Sequence, residues 1–299
     1  MRARPGSLKL AVALLAAATL AVAPSGSVAR AGGYDTRQGV DQCGNMSSGA
    51  VNYLWSSSLP FYDWGTYIGG ALTPYNGCKS STSFVSSLRS MGWNIMPIWD
   101  DLQAPSGCIS ASVHMSSSTT TARSQGVQAA NNAKAAMATY GFSSGDTVWL
   151  DIEAYTTSNS TCKAAVNAFV DGWDSVLGPL SDAGVYGSAA GSAVDSWHGL
   201  ANPPNFVWIA DYGVALNSVW GMSSPPNSHW TEDQRVHQYR GTRRYPYPSG
   251  CTGSACIAPD VDCVSTWVDG PNQPWDPDSS EGAETNSPSY EPTCNGTAQ

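Results

Sequence analysis

Thr147-Val148-Trp149-Leu150-Asp151-Ile152-Glu153 is the stretch on which the fold turns. It is one strand long and mostly apolar, and it lies between two helical patterns. The first is Ala-rich and stops at Tyr140-Gly141, where Gly acts as a helix terminator; the second runs from about Thr161 to Leu177. A strand enclosed by helices is the repeat of a parallel sheet. Side chains alternate along a strand, so Leu150 and Ile152 share one face and Trp149, Asp151 and Glu153 the other. The apolar pair must meet the covering helices. The acidic face is then the interior of a barrel, with Glu153 nearest the C-terminal mouth.

The same pattern recurs on both sides. Upstream, strands are expected at Gly39–Cys43, around Thr66–Ile68 and at Trp93–Trp99, the last leading into Asp100-Asp101. Helical patterns at Gly49–Ser57 and through Phe84, Val85, Leu88 and Met91 separate them. Downstream strands are expected at Gly184–Gly187, Phe206–Tyr212, Arg235–Tyr239 and Ala258–Asp262. Eight units between Gly32 and Gly270 match the size of a (β/α)₈ TIM-like barrel, about 250 residues. The connections 213–234 and 240–257 are rich in Gly, Pro, Ser and Arg and scarcely helical, so long loops are expected after strands six and seven. A doubly wound open sheet is the rival fold, but no Gly-x-Gly-x-x-Gly turn follows any strand.

The ends of the chain differ from this middle. Arg2, Arg4 and Lys9 precede an apolar run from Leu10 to about Ala23, and Ala29 and Ala31 stand at −3 and −1 of a cleavage site before Gly32. Residues 1–31 read as a signal peptide cleaved after Ala31, residues 32–270 as the barrel and 271–299 as a flexible tail. The apolar run is too short for a spanning helix of roughly 20 residues, so a secreted protein with no membrane contact after cleavage is expected. Cleavage would leave ten basic against 23 acidic residues, a net charge of −13. Such a chain is a poor partner for nucleic acid, whose phosphates need Lys and Arg.

All eight cysteines follow the signal segment, an even count that reads as disulfides in an oxidising compartment. Spacing favours Cys251–Cys256. With no Cys-x-x-Cys pair and four scattered histidines, neither a metal nor a cofactor is expected, and the barrel is read as a monomer. Twelve Trp and 13 Tyr against 5 Phe supply flat faces suited to sugars.

Acids recur at strand ends. Asp41 closes strand one, Asp151 and Glu153 close strand four, and Asp260 and Asp262 repeat the two-residue spacing at strand eight. Barrel enzymes place their sites at that end, and carboxylates are costly to bury without purpose. Acids without a His or Cys nucleophile suit glycoside cleavage, in which one carboxyl protonates the leaving oxygen and another steadies an oxocarbenium-like transition state. Crowding would keep Glu153 protonated for that role. Three functions fit: a polysaccharide hydrolase, a carbohydrate-binding barrel without turnover, and a secreted scaffold.

Gly39-Val40-Asp41, Trp149–Glu153, Val207-Trp208-Ile209-Ala210-Asp211-Tyr212, His237-Gln238-Tyr239 and Val261-Asp262 stand in the order found in family-twenty-five glycoside hydrolase lysozymes. The chain is still more similar to the glycoside-hydrolase-like secreted proteins of actinobacteria grouped as domain of unknown function 1906. The resemblance covers about Asp35 to Val268. It implies Glu153 as general acid, with Asp151, Asp41 and Asp262 as the other catalytic carboxylates. Gln238 and Tyr239 would line the cleft, and Trp208, Asp211, Tyr212 and Asp260 are further candidates for substrate binding. It also implies peptidoglycan as the favoured polysaccharide.

Overall fold

The computed structural model describes residues 38–55, 61–212, 219–231, 234–244 and 260–265. The signal-peptide reading, the tail and the Cys251–Cys256 pair lie outside them.

Eight strands form one closed sheet in chain order. They are β1 (Gln38–Gln42), β2 (Phe61–Gly69), β3 (Asn94–Trp99), β4 (Val148–Asp151), β5 (Ala183–Ser188), β6 (Phe206–Ala210), β7 (Arg235–Arg244) and β8 (Asp260–Ser265). The helices are α1 (Ser48–Leu54), α2 (Thr73–Asn76), α3 (Thr82–Met91), α4 (Thr119–Thr139) and α5 (Ser160–Leu177), with short 3₁₀ turns after α5 and β5. Strands β1 to β7 pair in parallel, a curled TIM-like arrangement in kind.

The eighth strand departs from the expected repeat. β8 is antiparallel to both β7 and β1, so the sheet is not eight parallel β/α units. A parallel return needs a crossover of a dozen or more residues, usually a helix, whereas an antiparallel return needs only a turn. The loop expected to begin at 240 is also shorter, because β7 continues through Arg244.

Between β6 and β7 the described residues contain no helix. A buried cation does the organising there. The Arg235 guanidinium donates to the carbonyls of Val219 (3.1 Å), Pro226 (2.5 Å) and His229 (2.6 Å), and stacks over Trp220 at 4.3 Å. Burial lowers its pKa to about 10.

Alternation divides the apolar residues into two cores. Val148, Leu150 and Ile152 of the β4 segment, with Val185, Val207 and Ile209, face outward into the layer beneath the helices. Met96, Ile98, Trp149, Trp208 and Val236 fill the interior, with Tyr67, Tyr186 and Phe206 packed against them. The two indoles meet edge to face at 5.6 Å, the arrangement their quadrupoles favour. This aromatic plug is the floor on which the polar mouth stands.

Local signals fix the helices. Ser81 caps α3 by accepting the Phe84 N–H at 3.1 Å, and Asn159 caps α5 through the N–H groups of Thr161 and Cys162. α4 has a small-residue face of Ala122, Gly126, Ala129, Ala130 and Ala133, which lets it approach α5 closely. A Cβ on Gly126 would lie 2.0 Å from the Phe169 carbonyl oxygen, and one on Gly172 would lie 2.1 Å from that of Arg123. Two disulfides, Cys43–Cys78 and Cys108–Cys162, tie loops to this frame. Among the described residues no helix is long and apolar enough to cross a membrane.

Because both helix backbones block the space, Gly172→Ala must separate α4 from α5. Overpacking of this kind costs about 1–3 kcal/mol, expected as a lower urea midpoint with an unchanged slope.

Candidate active site

Asp41 comes from β1, where Val40 packs outward and Asp41 turns inward, 6 % exposed. Its ladder partner is Gly65 of β2. A Cβ there would lie 2.6 Å from the Asp41 Cβ and 3.0 Å from the Trp208 ring. Glycine therefore leaves the room in which the carboxylate and the indole meet. On β7, next but one to β1 around the sheet, the side chain of Gln238 ties three elements together. Its Nε2 donates to Asp41 Oδ2 at 2.9 Å, and its Oε1 accepts from Tyr186 at 3.0 Å and Tyr212 at 2.9 Å. With both ends engaged, the amide cannot flip without breaking its bonds.

Asp41, Asp151, Glu153 and Gln238 converge with Tyr67, Ile98, Tyr186 and Trp208 on one open cleft of about 300 Å³. Among the described residues no Lys or Arg lines it. Asp151 is buried and hydrogen-bonded by Tyr67, while Glu153 lies exposed at the mouth. The Asp151 Oδ1 atom is buried without a protein partner, which leaves a lone pair for a proton or a ligand hydroxyl.

Asp100, at the end of β3, extends this group. It accepts from Asn76 at 2.7 Å and Gln103 at 3.3 Å. Burial pushes its pKa up to about 7 despite the Asn76 bond, with the charges of Glu153 and Asp101 adding to the rise. Burial also holds Asp151 well above the carboxylate range, and the charges of Glu153, Asp100 and Asp41 act in the same direction. Tyr67 and Tyr186 are raised by burial first and by these carboxylates second, so both remain hydroxyl donors. The mouth therefore holds protons in its depth and an exposed carboxyl at its edge. That division suits acid catalysis or hydrogen bonding to a polyhydroxylated ligand.

The other sequence candidates lie elsewhere. Tyr212 is 60 % exposed and stands at the rim, held by its hydroxyl to Gln238. Tyr239 is buried in the outer core against His237, away from the cleft. Asp211 is not among the lining residues; its backbone joins β6 to β7, donating to the Gln238 carbonyl and accepting from His237 Nε2 at 2.7 Å. In β8 the backbone register sets Asp262 opposite Asp41 and Asp260 opposite Arg244; their side chains lie outside the described residues. Sequence reasoning omitted Tyr67, Tyr186, Asp100 and Gln103. The two tyrosines were accessible by parity, each two residues beyond an inward glycine, Gly65 or Gly184.

The model of the Rv2525c-like, glycoside hydrolase-like domain family matches residues 55–254. No curated protein matches the chain in sequence. Among solved structures, an uncharacterized B. stearothermophilus protein superposes with TM-score 0.52 at 16% identity, over 78% of this chain and 96% of that one. That likeness concerns the fold. The modular autolysin LytC of Streptococcus pneumoniae, solved in complex with a synthetic peptidoglycan ligand, gives TM-score 0.46 at 10% identity, over 76% of this chain and 46% of LytC.

The raised carboxyl of Asp100 makes stability depend on pH in a definite sense. An unfolded Asp loses its proton near 3.8, whereas the folded one keeps it to about 7. Between those values the folded state binds more protons, so stability falls as pH rises. Asp100→Asn is expected to flatten this slope and to raise the melting temperature at pH 7–8. Thermal unfolding of both proteins from pH 4 to 8 measures it; a wild-type slope unchanged in the variant would contradict the assignment.

Proposed function

The chain belongs to the Rv2525c-like, glycoside hydrolase-like domain family, and from that premise we propose that it is a secreted glycoside hydrolase acting on a polysaccharide. Bacterial cell-wall peptidoglycan is the favoured substrate, in keeping with the motif order shared with the family-twenty-five lysozymes and the secreted actinobacterial proteins. The observation that carries the reading is the convergence of Asp41, Asp151 and Glu153 on one aromatic-walled cleft.

In this reading a sugar chain lies across the mouth, with Tyr212 at its rim and Trp208 below. Glu153 is the carboxyl most open to solvent and delivers a proton to the glycosidic oxygen. The buried acids beneath it, Asp151 and Asp100, hold protons through the desolvation described above and can share one with Glu153. Asp41, fixed by Gln238, faces the same cleft and steadies the positive charge that develops at the anomeric carbon. The hydroxyl protons of Tyr67 and Tyr186 are held by Asp151 and Gln238, which leaves the two phenol oxygens as acceptors for sugar hydroxyls. Disulfides at Cys43–Cys78 and Cys108–Cys162 suit the oxidising exterior that an export signal implies.

A sugar-binding barrel without turnover is the second reading. It is favoured by the same buried, protonated Asp100 and Asp151, which donate hydrogen bonds as readily as protons.

Reducing-end release from peptidoglycan and other glycans by residues 32–299 tests the first reading. Glu153→Gln preserves shape but removes the transferable proton, so turnover is expected to fall by about 10²–10⁴ while glycan binding and melting temperature persist. Asp151→Asn is expected to slow turnover as well. Equal rates in wild type and Glu153→Gln would remove Glu153 from the mechanism. Binding without any release of reducing ends would favour the second reading.

A further inference from the structure

We infer that Gln103 is the positioning residue of the site, its side-chain amide standing in for a missing strand residue and thereby setting where Glu153 lies relative to Asp151. The inference deepens the proposed function and rests on it for its catalytic meaning, but its structural content stands separately.

In a parallel ladder one residue donates its N–H to one carbonyl of the neighbouring strand and accepts from the N–H two residues further along. β3 supplies such partners to β4 only as far as Trp99, opposite Leu150. It then turns away, and the Asp100 N–H goes to Gly69 on the β2 side at 2.9 Å. The main chain after β4 nevertheless continues extended, for Ile152 N–H still reaches the Tyr186 carbonyl on the β5 side at 3.2 Å. On the β3 side the Asp151 carbonyl and the Glu153 N–H would be left without ladder partners, at a cost comparable to a lost hydrogen bond each.

Gln103 fills that place. Its Nε2 donates to the Asp151 carbonyl at 2.9 Å, and its Oε1 accepts from the Glu153 N–H at 2.9 Å. This is the pattern a peptide group opposite Ile152 would make. The same Nε2 lies 3.3 Å from Asp100 Oδ1, so one side chain joins the ends of β3 and β4 and three of the acids. Gln103 is fully buried, and its own backbone is bracketed by Val113 (3.2 Å) and Met115 (2.8 Å). The loop that carries it is fastened across to α5 by Cys108–Cys162, and the Cys108 carbonyl accepts from Thr156 N–H and Oγ1 at 3.0 and 3.1 Å. A rigid loop thus presents a rigid amide to the one backbone segment that bears the exposed carboxyl.

Amide hydrogen exchange on the intact wild-type protein is the first test. Glu153, although exposed, is expected to exchange slowly, close to Ile152; exchange at open-loop rates would overturn the inference. In Gln103→Leu the Glu153 protection is expected to fall about tenfold or more, as loss of one hydrogen bond implies, with Ile152 within about twofold of wild type. Unchanged Glu153 protection in that variant would also overturn it. Gln103→Glu provides a milder change. A protonated carboxyl offers the same donor and acceptor, whereas an ionised one loses the donor and faces Asp100, Asp101, Asp151 and Glu153. Glu153 protection, normalised to wild type at each pH, should stay near wild type in acid, where the introduced carboxyl keeps both donor and acceptor; a loss there as large as in Gln103→Leu counts against the inference. On a cleaved glycan, Gln103→Leu should lower kcat with little change in KM. A wild type that exchanges as expected but cleaves nothing would sink the hydrolase reading and leave the placement of Glu153 intact.

Discussion

Desolvation of carboxyl groups over an aromatic floor is the constraint to which the rest of this molecule answers. The interior of a barrel must be filled, and its lower part is filled by Trp149, Trp208, Met96, Ile98 and Val236. Those side chains remove water from beneath Asp41, Asp151 and Asp100, all of which are nearly inaccessible. A buried carboxylate is costly unless it is hydrogen-bonded or keeps its proton. Both remedies are present. Gln238 donates to Asp41, Asn76 to Asp100 and Tyr67 to Asp151, while burial pushes the pKa of Asp100 up to about 7 and that of Asp151 well above the usual carboxylate range. Among the described carboxyls of the site, Glu153, past the end of β4, is the one that escapes into solvent.

Much of this was legible because strand parity is a local property. Leu150 and Ile152 pack outward and Asp151 inward, as the alternation in Thr147–Glu153 requires. Trp208 and Gln238 follow the same rule on β6 and β7. The resemblance gave misleading company to Tyr239 by pairing it with Gln238, where parity separates them. As its neighbour on the strand, it points to the other face and joins the outer core. β8 was harder. Asp260-Val261-Asp262 alternates identically in either direction, so the strand's composition carries no information about its sense. The absence of a helical pattern in 240–257 was the available clue, since a helixless return is the signature of an antiparallel pair.

Gln103 shows a different limit. It lies in a loop with no periodicity, and its role depends on hydrogen bonds to backbone atoms about fifty residues away. Nothing in the identity of a glutamine marks such a contact in advance. The disulfide Cys108–Cys162 was equally hidden among many pairings, although it fastens the loop that brings Gln103 into place. Asp100 was visible at the end of its strand but could not be assigned to the site until β3 and β4 were adjacent.

The reversed last strand has a consequence for how the molecule can be attached to other things. β1 begins at Gln38 and β8 ends at Ser265, and these two residues are ladder partners. Both lie at the end of the sheet opposite the cleft, because β8 runs downward while β1 runs up. A tether, a fused module or a solid support joined at either place would therefore hang behind the barrel. Immobilised through its base, the molecule would present its open mouth to an insoluble polymer, with no linker crossing the approach.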